Sequence, residues 1–274
     1  MNANKFRCLI LILAHIVASY NLTIAQCWEK NFAFAPGEKV SYNVYYNWGI
    51  IWLDAGIAEF KVDEIKHQNR DAYKLQSLGV SHKKYDWIYR VRDKYESIVD
   101  KESLRPMWYL RQTEEGKYRV RNEFNFDNTN NKIYIQTENS NRSNSLDTLD
   151  LQDCTFDLLS TIYYSRNIDY NQYKKNDKIP LTIIIDNEIH NLHIRYLGKE
   201  VLKTKDKKKY NCIKFKPMLV EGTMFRGGEH MTVWVSDDAN KIPILIEAKV
   251  LVGSVKAYLA HYEGLNGGLT SRIK

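Results

Sequence analysis

The chain has 274 residues, of which 44% are hydrophobic and 27% charged, with 13 glycines and 5 prolines. These values are typical of a globular protein and exclude a disordered or fibrous chain. The net charge of +7 is spread along the sequence, so we interpret it as a solvated surface and expect no nucleic-acid partner. The 19 tyrosines favour strands over helices, because aromatic side chains fit a pleated sheet.

Residues 1–25 have the three parts of a secretory signal peptide. Lys5 and Arg7 form the positive region, Leu9–Ala18 is apolar, and cleavage after Ala25 would leave Gln26 first. The apolar run is too short for a comfortable membrane span, so we expect the protein not to be transmembrane. The sequence therefore predicts a soluble protein, exported to the periplasm or outer envelope, with a mature net charge of +5.

Three cysteines remain after this cleavage: Cys27, Cys154 and Cys212. Residues 24–27 also loosely resemble a lipoprotein box, in which Cys27 would carry a lipid anchor. One disulfide and one free thiol are expected in an oxidising compartment, and three pairings are possible. We favour Cys27–Cys154, because a bridge there would fix the N-terminal lead-in to the body of the protein. Cys212 shares a strand face with two lysines, which predicts a partly exposed thiol.

Alternating hydrophobicity predicts strands along most of the mature chain. The clearest pattern is a three-stranded antiparallel meander over residues 231–259, which could close one edge of a larger sheet. Gly56 interrupts one strand and indicates a bulge or bend. Residues 138–147 are polar and predicted to be a loop, and 203–209 an exposed hairpin tip. The other predicted strands are Lys39–Tyr46, Ile51–Ile65, Ala72–Val80, Tyr85–Val99, Arg105–Thr113, Lys117–Asp127, Ile133–Thr137, Ile179–Asp186, Ile189–Leu197, Tyr210–Lys216 and Met218–Thr223.

One helix is predicted at about residues 154–166. Phe156, Leu159 and Tyr163 recur there at helical spacing, and Asp153 or Thr155 could cap its start. The fold class is therefore mainly β: a single domain over residues 26–274, with one large antiparallel, strongly curved sheet or open barrel and one packed helix.

The sequence contains no catalytic motif, no metal-ligand spacing and no cofactor fingerprint. Exposed aromatic residues are the remaining candidates for a ligand site, and the alternative is a core with tyrosine hydroxyls at its rim. The candidate ligand-binding residues are Tyr45, Trp48, Trp52, Trp87, Tyr89 and Trp108.

Three stretches together resemble a family of exported bacterial proteins known as domain of unknown function 3108. They lie at residues 36–56 (PGEKVSYNVYYNWGIIWLDAG), 154–167 (CTFDLLSTIYYSRN) and 229–259. The resemblance implies an envelope location and a β-rich fold, and it carries no catalytic residues. The C-terminal pattern of strand, acidic turn, proline and strand is also similar to that of periplasmic lipoprotein carriers, which is an analogy of fold.

Three functions stay open at this point. The first is non-enzymatic binding of a lipid-like or other apolar ligand on the concave side of the sheet. The second is a glycan-binding or glycan-processing accessory protein that uses exposed aromatic residues. The third is a hydrolase whose site is assembled from residues distant in sequence, for which two converging carboxylates in a cleft would be the sign.

Overall fold

A computed structural model describes residues 30–48, 51–221, 227–250 and 252–273. Within these ranges the chain forms sixteen strands in one sheet and one α-helix, α1, at Leu158–Ser165. Short 3-10 helices lie at Lys83–Tyr85 and Tyr170–Gln172. The strands are β1 (Lys39–Trp48), β2 (Ile51–His67), β3 (Arg70–Ser81), β4 (Val91–Asp100), β5 (Pro106–Glu115), β6 (Tyr118–Asp127), β7 (Lys132–Asn139), β8 (Arg142–Asp150), β9 (Thr155–Phe156), β10 (Lys178–Ile185), β11 (Glu188–Lys203), β12 (Lys209–Pro217), β13 (Met231–Ser236), β14 (Pro243–Lys249), β15 (Ser254–Glu263) and β16 (Arg272–Ile273).

The sheet order joins two meanders through its middle. It runs β8-β7-β6-β5-β4-β3-β2-β1-β15-β14-β13-β12-β11-β10-β9, with β16 paired to β12. All described pairs are antiparallel except β9 with β10. The predicted meander is confirmed as β13–β15, but its expected place at an edge is wrong: β15 pairs with β1 and connects the two halves.

The predicted fold class is confirmed: one large, mostly antiparallel sheet that is not closed into a barrel, with one helix among the described residues. Side chains connect the two ends of the sheet. The turn between β10 and β11 packs against the first half, where Arg111 Nη1 donates to Asp186 Oδ1 at 2.7 Å and Thr137 Oγ1 donates to Asn187 Oδ1 at 3.0 Å. Strand curvature is helped by a register shift beside Gly56, as its position predicted.

Three predicted elements are wrong. The strand predicted at Met218–Thr223 is absent over residues 218–221, where Leu219 forms only an isolated bridge with Gly228, and its last two residues lie outside the described ranges. Residues 85–90 are a 3-10 turn and loop, because Asp86 accepts hydrogen bonds from Ser81 and Arg92 and holds the chain in a tight turn before β4. The loop predicted at residues 138–147 is instead the end of β7, a turn and most of β8, which spans residues 142–150. This strand lies at the sheet edge, where both faces meet water and apolar alternation is not required.

The helix packs between the two halves of the curved sheet. Leu159 and Tyr163 join the core cluster of the first half, and Tyr164 joins that of the second. The cap is Asp157, not the predicted Asp153 or Thr155. Its carboxylate accepts from the backbone of Leu159 and Ser160, both at 2.9 Å, and from Ser97 Oγ of β4 at 2.7 Å. Because β9 occupies residues 155–156, the helix begins later than predicted.

A buried ion pair fixes the N-terminal lead-in to this helix. Arg166 donates to both carboxylate oxygens of Glu38, at 2.5 and 2.8 Å, and also to the carbonyl oxygens of Ala33 and Asn240. Both charged side chains are almost completely buried. The guanidinium therefore connects the lead-in, the end of α1 and the turn after β13.

The cysteines confirm one expectation and correct another. Cys212 is a free thiol, but it is fully buried rather than partly exposed, because Leu265 and Leu269 of the C-terminal segment pack in the same cluster. Burial raises the pKa of this thiol to about 12. Cys154 is disulfide-bonded. Its predicted partner, Cys27, lies outside the described residues, so the Cys27–Cys154 pairing stays a prediction.

Candidate functional site

The inner face of the first half of the sheet changes character from one end to the other. Because side chains alternate along a strand, residues that share a face with the core cluster can be followed row by row across β2–β7. The row packed against α1 is mostly apolar: Val62, Leu75, Ser97, Tyr109, Phe124 and Ile135. The next row is mixed: Phe60, Ser77, Tyr95, Arg111, Asn122 and Thr137.

Beyond these rows, the inner face carries small residues on β2 and β3 and polar side chains on β4 and β5. The third row begins with Ala58 and Gly79, which leave the middle of the sheet shallow, and continues with Asp93 and Thr113. A Cβ added at Gly79 would meet only the Asp93 Cβ, at 3.7 Å. Ala58, Gly79 and Asp93 are only half-buried, so the core does not fully cover this part of the concave face.

We call Asp93, Arg111, Thr113, Glu115 and Asn122 the inner polar patch. Two of its members are carboxyls on neighbouring strands. Asp93 lies opposite Thr113, and Glu115 lies two residues further along β5, so the two carboxyls are diagonal neighbours on one face. Burial, together with the nearby Glu115 carboxylate, raises the pKa of Asp93 to about 7.

Four buried polar atoms of this patch have no hydrogen-bond partner among the described residues: Asp93 Oδ1, Arg111 Nε, Thr113 Oγ1 and Asn122 Oδ1. Thr113 and Asn122 are more than nine-tenths buried. Leaving one such group unsatisfied costs about 1–3 kcal/mol, so their concentration in one patch requires an explanation.

A small cavity accounts for two of these atoms. Arg111 and Asn122 line a space of about 20 Å³ together with Leu158 and Ile184. That volume holds about one water molecule, which would satisfy Arg111 Nε and Asn122 Oδ1. Asp93 and Thr113 do not line this cavity, and the two residues lie opposite each other on β4 and β5.

An apolar strip continues the same concave face on the other side of the small residues. Val44 of β1 pairs with Ala257 of β15, which pairs with Ile246 of β14. All three are half-buried. The inner face at this end therefore combines an apolar strip, a shallow centre and the inner polar patch.

The structure separates the six aromatic residues that the sequence singles out. Tyr89 lies beside the inner polar patch: burial, with smaller effects of Glu115 and Asp93, raises the pKa of its phenol, and its ring covers Gly116. Trp87 is 82% exposed in the loop before β4. The side chain of Trp48, at the end of β1, lies outside the described residues.

The other three aromatic residues lie on the outer face. Tyr45 and Trp108 are out of phase with the inward residues of their strands, and the register shift beside Gly56 turns Trp52 outward. The Lys205 ammonium lies 4.1 Å from the Tyr45 ring centroid, and the Lys256 ammonium 4.9 Å from that of Trp52. Trp108 packs against a small buried cluster of Ala72, Ile98 and Met107. Its Nε1 donates to Glu123 at 2.9 Å.

No residue of the inner polar patch was predicted as a site residue, including Thr113 and Glu115. Strand alternation could place them on the inner face, but their proximity to Asp93 depends on the β4–β5 register. The described residues hold no group of three or more histidine, cysteine or acidic side chains arranged for a metal ion. Among them, no helix has both the length and the apolar character needed to cross a bilayer.

Comparison with known proteins supports the fold. No curated protein matches the sequence. One solved structure, titled as a β-barrel-like protein of domain of unknown function DUF1849 from Brucella abortus, matches with a TM-score of 0.56 and 11% identity. The match covers 85% of this chain and all of that one, and at this identity it shows a similar fold. The family model described as protein of unknown function (DUF3108) matches residues 41–260, and the chain therefore belongs to this family.

Proposed function

We propose that this protein is an exported binding protein of the cell envelope that holds a small lipid-like ligand on the concave face of its sheet. The observation that carries the proposal is the pair of atoms Asp93 Oδ1 and Thr113 Oγ1, which have no partner among the described residues. They lie beside a shallow, half-buried centre at Ala58 and Gly79. A ligand group that donates hydrogen bonds would satisfy both atoms.

The other half of the ligand is apolar. The strip of Val44, Ala257 and Ile246 lies across the small residues from the inner polar patch. Burying this strip under a hydrocarbon chain contributes roughly 25 cal/mol per Å² of apolar surface. We therefore expect an amphipathic ligand with a neutral or cationic polar group, rather than the purely apolar ligand that the sequence also allowed.

The experiment is native mass spectrometry of the protein recovered from its own envelope, comparing the natural chain with Gly79→Val. Valine fits a strand, and its Cβ has room, so the variant should fold while filling the shallow centre. We expect a co-purifying small molecule on the natural chain and at least a tenfold lower occupancy on Gly79→Val.

Gln76→Val is the matched control, because it adds the same side chain to the outer face of β3 and should leave occupancy unchanged. No ligand on the natural chain, or equal occupancy in all three proteins, would contradict the proposal. The intact mass in the same spectra gives the mature N-terminus, which is expected at Gln26.

The carboxyl pair favours a second candidate, a hydrolase. Asp93 has a pKa near neutrality and Glu115 is its diagonal neighbour, and such a pairing of unlike carboxyls is used for acid–base catalysis. This candidate requires turnover. If the recovered ligand is a glycan that the natural chain cleaves and Asp93→Asn does not, the enzyme replaces the binding protein as the account of this site.

A further inference from the structure

Several loops meet at the end of the sheet where the inner polar patch opens. The described ends of the β1–β2 and β14–β15 connections are adjacent, because Asn47 of β1 pairs with both Trp52 of β2 and Ser254 of β15. The β3–β4 loop joins them where His82 Nε2 contacts Asp54 Oδ1 at 3.1 Å.

These three loops carry large apolar side chains that face water. Trp87 is 82% exposed, Val252 75%, Ile51 60% and Ile88 44%. We call these four residues the apolar rim. Single exposed apolar residues are ordinary on a protein surface, but a group on neighbouring loops around one opening indicates an interaction site.

The rim is held in place rather than loosely extended. Asp86 accepts hydrogen bonds from Ser81 Oγ at 2.7 Å and from Arg92 at 2.5 Å, and the backbone N–H of Ile88 donates to the Tyr85 carbonyl at 2.9 Å. This turn presents Trp87 and Ile88 outward, where they make no contribution to the core clusters of the described residues.

The charge beside the rim is positive. Lys83 and Lys84 of the same loop are exposed, and its one acid, Asp86, is already paired with Arg92. Arg90, also exposed, lies 3.6 Å from Glu114 and is paired with it. Tryptophan and aliphatic side chains at a tip with lysines behind them match the boundary between acyl chains and anionic headgroups. An apolar protein partner would leave these cations without counter-ions.

We propose that the apolar rim docks this protein on the surface of an anionic lipid bilayer. Trp87 and Ile88 enter the headgroup region, and Lys83 and Lys84 meet the anionic headgroups. In this orientation the concave face opens towards the bilayer. The docking surface is independent of the ligand proposed above, since it uses no residue of the inner polar patch.

The test is co-sedimentation with phosphatidylcholine vesicles that contain or lack phosphatidylglycerol, using protein recovered from its native envelope. We expect binding to the anionic vesicles that falls with added salt. We expect each of the double variants Trp87→Ser/Ile88→Ser and Lys83→Glu/Lys84→Glu to lose vesicle affinity by at least about tenfold.

Two controls separate the rim from general stickiness and general charge. Leu146→Ser removes an equally exposed apolar side chain from the edge strand β8. Lys207→Glu/Lys209→Glu reverses two exposed lysines at the β11–β12 turn, which contains no residue of the apolar rim. Both should bind like the natural chain. Loss of binding in these controls, no binding of the natural chain at low salt, or a Trp87-dependent dimer by sedimentation velocity would overturn the proposal.

Discussion

Replacing Arg166 with methionine is expected to lower the free energy of unfolding by about 3–5 kcal/mol. The substitution leaves the Glu38 carboxylate buried without its cation, and it removes the donors of the Ala33 and Asn240 carbonyls. For a domain of this size we expect the melting temperature to fall on the order of ten degrees. Differential scanning calorimetry measures both quantities, provided that unfolding is reversible.

Two further variants identify the cause of this loss. Arg119→Ala breaks the surface ion pair with Glu114, in which the Arg119 side chain is 67% exposed. It should change the free energy of unfolding by less than about 1 kcal/mol. The double variant Glu38→Leu/Arg166→Met removes both buried charges and should be more stable than Arg166→Met alone. An Arg166→Met protein as stable as the natural chain would show that this ion pair does not fix the lead-in.

Replacing Asp93 with asparagine is expected to stabilise the protein at pH 8 and to have little effect at pH 4. Burial and Glu115 raise the pKa of Asp93 from its ordinary value of 3.8 to about 7. Between these pH values the carboxyl is ionised in the unfolded chain and protonated in the folded one, so folding takes up a proton. The stability of the natural chain therefore falls as the pH rises through this window and stays reduced above it. Asparagine is neutral at every pH and avoids this loss.

The magnitude has an upper bound of about 4 kcal/mol at pH 8, which partial solvent exposure of Asp93 reduces. Thermal melts of both proteins from pH 4 to pH 8 measure it. Asp71→Asn is the control, because the pKa shift of Asp71 has the opposite sign: a hydrogen bond from Lys66 lowers it. This variant should not be more stable than the natural chain at any pH. Equal melting temperatures of Asp93→Asn and the natural chain at pH 8 would remove the physical basis of the inner polar patch.

Much of the fold follows from local sequence pattern. Alternation in residues 231–259 is sufficient to predict β13–β15. The glycine at position 56, inside a strand, predicts the bulge between β1 and β2. Pattern fails where tertiary contacts decide. β8 has no apolar alternation because it is an edge strand, and residues 85–90 form a turn because Asp86 bonds to Ser81 and Arg92.

The candidate site was less accessible to sequence reasoning than the fold. Alternation places Asp93 on the inner face of its strand, but Thr113 and Glu115 reach it only through the β4–β5 register. Aromatic residues drew attention because they are conspicuous in a sequence, and strand geometry then placed Tyr45, Trp52 and Trp108 on the outer face. Glu38 gave no signal, since its partner Arg166 is 128 residues away.

The central claim is that the concave face between Gly79 and Thr113 is a ligand site. An experimental structure of protein purified from its native source, without refolding, tests this most directly. The account predicts a bound molecule with a polar group within hydrogen-bond distance of Asp93 Oδ1 and Thr113 Oγ1, and an apolar part along Val44 and Ala257. A structure in which native-purified protein carries water alone at these two atoms, or in which the ligand lies on the outer face, would contradict it.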